Sequence, residues 1–289
     1  YQQAKDKGYC ITRSYKEYQK RSKKADKMIL LQSEEASKVD RGGIPYAIDR
    51  QEGDLTLPDI TRAAINFLTK KQGGKDGFFL MVEGGKIDWL CHANDVAFIP
   101  ELIEMDDAVK VAYEFYQQHP DETLIVVTAD HETGGLVLGR GGYQLNLQAV
   151  ANQRMSISQL GTELHKLHDK YGDKYDWEVA KAFLTDNFGF WDKVQLSDDQ
   201  TARLQRSFQR VLEGKGVDAK SLYQKDSEFA GTVKRVMSEC ARITWGTGGH
   251  SNGYVPCFSI GVGAEQLQGR LDNTELPLRM AKAAGWQVR

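Results

Sequence analysis

The sequence carries almost no charge imbalance: 38 Lys and Arg stand against 40 Asp and Glu, a formal net charge of −2. Proteins that grip polyanions build a basic field, so this near balance excludes nucleic acid as the expected partner. A local Lys/Arg cluster between Lys16 and Lys27 is interleaved with Glu17 and Asp26 and reads as a solvated helix face. No apolar run approaches the length of a membrane span. Cysteine is scarce: Cys10, Cys91, Cys240 and Cys257 show no CxxC spacing, which excludes a thiol-rich metal knuckle and leaves the redox compartment open. There is neither an initiator Met nor a signal peptide ahead of Tyr1, so a processed or cut start is expected. What is present is 40% hydrophobic sequence over 289 residues, enough for one large α/β domain or for a core with an insertion.

Three stretches concentrate the chemistry. The apolar run 78–82, Phe-Phe-Leu-Met-Val, reads as a buried strand that delivers Glu83 at its carboxyl end. Gly84 and Gly85 then turn the chain into a helix-like segment where Asp88 and His92, four residues apart, share one face. The β-branched run 124–129 reads as a second buried strand and ends at Asp130-His131, followed by Glu132-Thr133-Gly134-Gly135. A glycine-rich stretch, 246–253, holds His250 just before a third apolar strand over 254–262. Glu, Asp and His are ligands suited to Zn²⁺ and Mg²⁺. Strands that end in such residues fit the rule that open α/β sheets bind ligands beyond the carboxyl ends of their strands.

Glu-Gly-x-x-Ile-Asp-x-x-x-His, then Thr-Ala-Asp-His-Glu-Thr-Gly-Gly, then Gly-Gly-His before a strand, resembles the alkaline phosphatase family in content and in order. The resemblance implies an α/β three-layer sandwich with a mostly parallel central sheet, partial in this chain. It implies two zinc ions and one magnesium: Asp88, His92 and His250 for one zinc, Asp130 and His131 for the second, and Glu83 for magnesium. It further implies a phosphate monoester substrate, inorganic phosphate as product, a homodimer, and a periplasmic or secreted location. Trp89 departs from the family pattern, where Lys or His often follows the zinc Asp; an indole carries no charge, which puts the phosphate contact and the Mg²⁺ preference at that position in doubt.

The family also places a nucleophilic serine, after a metal-binding Asp, upstream of all three motifs. No such segment precedes Glu83. The Asp-Ser pair at Asp226-Ser227 comes after both metal motifs and reads as a helix N-cap. The chain is therefore expected to be the C-terminal portion of an alkaline phosphatase, with no catalytic residue assigned here and no turnover alone.

The remaining sequence is largely helical. Proline in the first turn opens a helix near Leu57, an amphipathic helix spans about 101–118, and a last helix follows Thr274. Residues 33–54 read as a glycine-bearing surface lid or interaction loop, and 73–77 as a turn. Between 143 and 242 the helix-prone segments 158–170, 177–184, 197–212 and 227–240 exceed what a crossover needs, so they are assigned to an inserted helical subdomain; 1–142 and 243–289 form the core. Glu104 is a possible support for a ligand histidine, and His165 and His168 read as exposed helix residues.

Three rival readings exist. Gly249-His250-Ser251-Asn252-Gly253 satisfies the G-x-S-x-G elbow, but a strand rather than a helix follows and no His lies downstream of Ser251. A phosphodiesterase, sulfatase or phosphomutase shares related metal architecture. A non-catalytic interaction module would use the metals only to brace the fold.

Overall fold

In the computed structural model of the protein, residues 1–39, 43–72, 77–220 and 225–286 are described. The expected turn over 73–77 lies mostly outside them, as do residues 40–42 of the expected loop.

The N-terminal quarter is a small βαβ unit. Strands Tyr9–Thr12 and Lys27–Leu30 pair in parallel, Ile11 opposite Ile29, and the Tyr15–Arg21 helix crosses between them. Ser14 caps that helix by accepting from the Glu17 amide. Tyr18 drives the helix onto its neighbour: its ring is buried and its hydroxyl donates to the Ala63 carbonyl at 2.6 Å. Gln32 latches the exit of the second strand by donating to the Leu55 carbonyl and accepting from the Leu55 amide. The Leu57–Gln72 helix follows and packs along the long Phe98–Gln118 helix.

The segment 43–50, expected as part of a surface lid or interaction loop, is instead tied into the fold. Glu34–Val39 is helical, Ala47–Asp49 forms a short 3₁₀ turn, and Tyr46 enters the core. The turn is pinned from two sides. Glu101 accepts from the Ala47 amide at 2.6 Å, and the Arg50 guanidinium forks onto both oxygens of Glu104, at 2.5 and 2.7 Å. Asp49 accepts from the amide and hydroxyl of Ser156, the N-cap of the Ile157–Tyr171 helix. Carboxylates buried in this way fix the segment to the body of the fold.

The four strand ladders among the described residues each hold two strands. Leu124–Val127 pairs antiparallel with Phe258–Gly261, and Leu136–Leu138 antiparallel with Ile243–Trp245; Ala219–Lys220 with Lys225–Asp226 is a short antiparallel hairpin. Among the ladders of the described residues the N-terminal pair is the parallel one. The run 77–83 is extended and alternates exposed and half-buried residues, yet no strand pairs with it among the described residues.

The helices Ile157–Tyr171, Trp177–Phe188, Asp198–Leu212 and Glu228–Ala241 fall where the sequence pattern puts them. Each begins at a capping residue (Ser156, Asp176, Ser197 and Ser227) whose side chain accepts the amide three residues on. Ser227 is thus a helix cap. Leu160, Leu184, Phe190, Leu204, Val233 and Val236 are fully buried, and their cluster is continuous with Leu90, Cys91 and Ala93 on the ligand-bearing helix. Asp95, 1% exposed, joins the two by accepting from the Ala97 and Ile157 amides and the Gln153 side chain. The helical region is therefore a floor under the Asp88/His92 helix, with no gap between their cores.

Candidate metal centre

The Gly85–His92 helix sets the first ligands. Gly84 precedes it and Asp88 sits in its first turn, where the helix dipole favours a carboxylate. One turn on, the His92 side chain is fully buried and its Nε2 lies 3.3 Å from Asp88 Oδ1. His92 Nδ1 lies 2.8 Å from the Gly248 carbonyl. A carbonyl only accepts, so Nδ1 carries a proton, and in the neutral ring Nε2 is then the nitrogen that can ligate a metal on the Asp88 side. That is the tautomer a metal-ligating histidine requires, oriented by a backbone oxygen from a distant loop.

The second stretch leaves the Leu124–Val127 strand and turns at Asp130-His131. Asp130 is mostly exposed; its Oδ2 lies 3.3 Å from His131 Nε2, and its Oδ1 accepts the His131 amide. The third stretch brings His250 over both others. Its ring stacks on His131 with centroids 3.6 Å apart and lies 5.0 Å from the ring of His92. One ligand atom each from Asp88, His131 and His250 fall within 4.8 Å of one another, a grouping able to hold a metal ion. Two imidazoles and a carboxylate form a donor set suited to zinc.

The sequence-derived residues therefore converge unevenly. Asp88, His92, His131 and His250 meet, with one member of the three-residue group from each of the three stretches. Asp130 reaches the edge of the group through His131. Glu83 is exposed and folds back over the start of its helix, where a Cβ on Gly85 would fall 3.0 Å from its Oε1. Glu104 supports no histidine: its carboxylate is taken by Arg50 and the Leu57 amide. His165 and His168 are exposed on their helix.

Two neighbours were not singled out as site residues by sequence. Thr133 donates its hydroxyl to Asp88 Oδ1 at 2.7 Å. Glu132 accepts from the Gly135 amide at 2.6 Å and from the Ser251 amide at 2.9 Å. Burial works to raise the Glu132 pKa, but bonds from the Ser251 side chain and amide and from the Gly135 and Leu136 amides outweigh it and hold the carboxyl below its ordinary value. The available signal was position alone, directly after the Asp130-His131 pair.

Cys91, between Leu90 and His92, lies outside the three-residue group. Burial pushes its thiol up to about 12, Asp88, Glu132 and Asp95 add to the rise, and a bond with Trp245 opposes it.

The alkaline phosphatase family profile matches residues 2–286. The chain is 31% identical over 250 residues to alkaline phosphatase 3 of Bacillus subtilis, an overlap of 86% of this chain and 48% of that protein. It is 41% identical over 254 residues to the repressible alkaline phosphatase of Saccharomyces cerevisiae, covering 81% of this chain and 42% of that one. The crystal structure of a cold-active alkaline phosphatase from the psychrophile Shewanella sp. superposes with a TM-score of 0.74 at 26% identity, over 97% of this chain and 61% of the other. The Thermus thermophilus alkaline phosphatase gives 0.71 at 25% identity, over 100% and 59%. The chain thus spans about half the length of the curated relatives it matches. No helix among the described residues is long and apolar enough to cross a membrane. Three ligand stretches in the family's order, an α/β fold shared with solved alkaline phosphatases and a profile match from end to end lead to one assignment: this chain belongs to the alkaline phosphatase family.

Proposed function

We propose that this chain is the metal-binding portion of a phosphate monoester hydrolase. The observation that carries the reading is the approach of Asp88, His131 and His250 to within 4.8 Å in a chain of this family. In this reading Asp88, His92 and His250 hold one zinc, Asp130 and His131 a second, and Glu83 a magnesium. Bound there, such ions polarise the phosphoryl oxygens and stabilise both the attacking and the leaving oxygen of an in-line displacement. The chain's own side chains orient and hold: Gly248 fixes the His92 tautomer, and Thr133 fixes the Asp88 carboxylate. Substrates are phosphate monoesters and the product is inorganic phosphate. The indole of Trp89 offers one N–H donor and no charge where Lys or His often stands in the family.

The nucleophilic serine, and the phosphoserine it forms, belong to a segment outside these 289 residues. Two observations support this. Ser227, which follows the Asp226 of the Asp-Ser pair, is engaged as a helix cap. On the run 77–83 Phe79 (60% exposed) and Met81 (77%) are open to solvent with no strand paired to it among the described residues, and Phe258 (64%) is open on the ladder with Leu124–Val127. Apolar rows of that kind are ordinarily covered. The half of the family length that this chain does not span is the proposed cover. The division into a core of 1–142 and 243–289 with an insertion at 143–242, a homodimer, and a periplasmic or secreted location accompany the reading.

The test is p-nitrophenyl phosphate hydrolysis with zinc and magnesium present, alongside phosphodiester and sulfate ester controls. The chain alone is expected to give no sustained turnover, and a polypeptide that includes the preceding family segment is expected to cleave the monoester in preference to the others. Sustained turnover by the 289-residue chain would contradict the assignment of the nucleophile elsewhere. Preference of the longer polypeptide for a diester or sulfate ester would move the reading to that branch.

A further inference from the structure

We propose that Glu132 and Thr133 act as a paired clamp that preorganises the metal centre, each holding a different ligand stretch against the one they both belong to. The inference rests on the metal-centre reading above and concerns what makes three distant stretches converge. His131 lies on the same turn as the pair. Thr133 reaches back to the Gly85–His92 helix and donates its hydroxyl to Asp88 Oδ1 at 2.7 Å, fixing that carboxylate's rotation. Glu132 reaches forward to the His250 loop: one oxygen accepts the Ser251 amide at 2.9 Å and the other accepts its own loop's Gly135 amide at 2.6 Å. The carboxylate therefore bridges two loops that are far apart in sequence, with the anchor next to His250.

The surrounding backbone is built to let this happen. Gly246 and Thr247 donate their amides to the Gly134 carbonyl at 2.8 and 3.0 Å, so the two loops run side by side up to the clamp. Where Glu132 passes the His250 loop the facing residue is Gly253, and a Cβ there would stand 3.1 Å from Glu132 Cγ. At Gly134 a Cβ would lie 2.6 Å from the Trp245 ring, with φ at +84°, so this approach needs glycine on both grounds. Neither Glu132 nor Thr133 contributes an atom to the three-residue ligand group. Their bonds act on the ligands' positions, as partners behind a metal's ligands do.

The experiment is a titration of Co²⁺, read by its visible absorption, into the metal-free 289-residue chain and into Glu132→Ala, Glu132→Gln, Thr133→Val and Thr133→Ser. Thr133→Val keeps the side chain's shape and removes only the hydroxyl bond, so it serves if Glu132→Ala does not fold. Glu132→Ala and Thr133→Val are expected to weaken Co²⁺ binding about 10- to 100-fold. Thr133→Ser should restore wild-type affinity, and Glu132→Gln, which keeps one acceptor oxygen, should fall between. Unfolding midpoints of the folded variants in chelator should stay close to wild type, which separates ligand positioning from general stability. Wild-type binding with unchanged affinity in both Glu132→Ala and Thr133→Val would overturn the clamp and leave the metal centre standing. Failure of the wild-type chain to bind Co²⁺ at all would overturn the metal-centre reading, and the clamp with it.

Discussion

The helices within 147–241 bury their apolar faces against one another, whereas the runs 77–83 and 251–257, unpaired among the described residues, and the Phe258–Gly261 strand leave large apolar side chains open. Phe188, Phe190, Leu184 and Leu204 are at most 2% exposed in the first region; Phe79, Met81, Tyr254 and Phe258 are all more than half exposed in the second. The first region is also locally complete. Its helices start at side-chain caps, Gly189 ends the Trp177–Phe188 helix in the left-handed conformation, and Ser197 with Gln200 closes a full capping box. The strand region has no such closure, because a strand's hydrogen bonds and its second face must be supplied by other segments. Local rules thus suffice to build the helical floor, while strands need partners that are distant in sequence.

The widest gap between the two regions should appear on removing large side chains. Phe190→Ala, at a fully buried position, is expected to cost about 3–5 kcal/mol of unfolding free energy in a denaturant titration. Phe79→Ser, on the open run, should change stability by less than about 0.5 kcal/mol and should raise solubility. Equal losses at the two positions would erase the distinction.

Metal should matter to the ligand loops and not to the helical floor. Zinc at about 100 times its dissociation constant is expected to stabilise the folded chain by about 2.7 kcal/mol, and a chelator should remove the gain. His250→Ala should lose that metal response while leaving the chelated protein's unfolding midpoint in place, because His250 is exposed and its ring meets only other ligand side chains.

A third contrast concerns protons. Glu101 lies where the pinned 43–50 segment meets the long helix, and burial pushes its pKa from 4.5 up to about 7; the Ala47 amide, Arg50 and Lys86 work against the rise, and Glu104 adds to it. The folded chain therefore holds this proton between pH 4.5 and about 7 while the unfolded chain releases it, so stability from this group falls as pH rises through that window. Relative to wild type, Glu101→Gln should gain on the order of 2 kcal/mol at pH 8, and that gain should vanish near pH 4.5. A gain independent of pH would place the effect in packing instead.

The smallest effect is expected from the caps. Ser197→Ala should cost about 1 kcal/mol by thermal unfolding, and the same change at Ser227 about as much. A loss of phosphatase activity specific to Ser227→Ala in the longer polypeptide, beyond its stability cost, would revive a chemical role for that serine.

Legibility followed the same divide. The helices after residue 156 are readable to within a few residues because the N-cap and the apolar spacing lie inside each segment, and Gly172 and Gly189 end the first two. The candidate ligands Asp88, His92, His131 and His250 stand out because their spacing and order form motifs, and the fold brings them together. The run 78–82 reads as a buried strand by composition, yet composition does not say which segment pairs with it; here no described strand does, and Phe78 meets Phe115 of the long helix instead. Glu104 looked like support for a histidine until the position of Arg50, more than 50 residues earlier, showed where its charge is neutralised. Glu132 and Thr133 were invisible as working residues for a related reason: their partners, Ser251 and Asp88, are set only by tertiary structure.

The convergence of the three ligand stretches is tested most directly by anomalous diffraction at the zinc edge from crystals of the zinc-loaded chain. The expected result is one peak at Asp88, His92 and His250 and a second beside it at Asp130 and His131. A peak at His165 and His168 on the exposed helix, or His250 turned away from an occupied site, would contradict it.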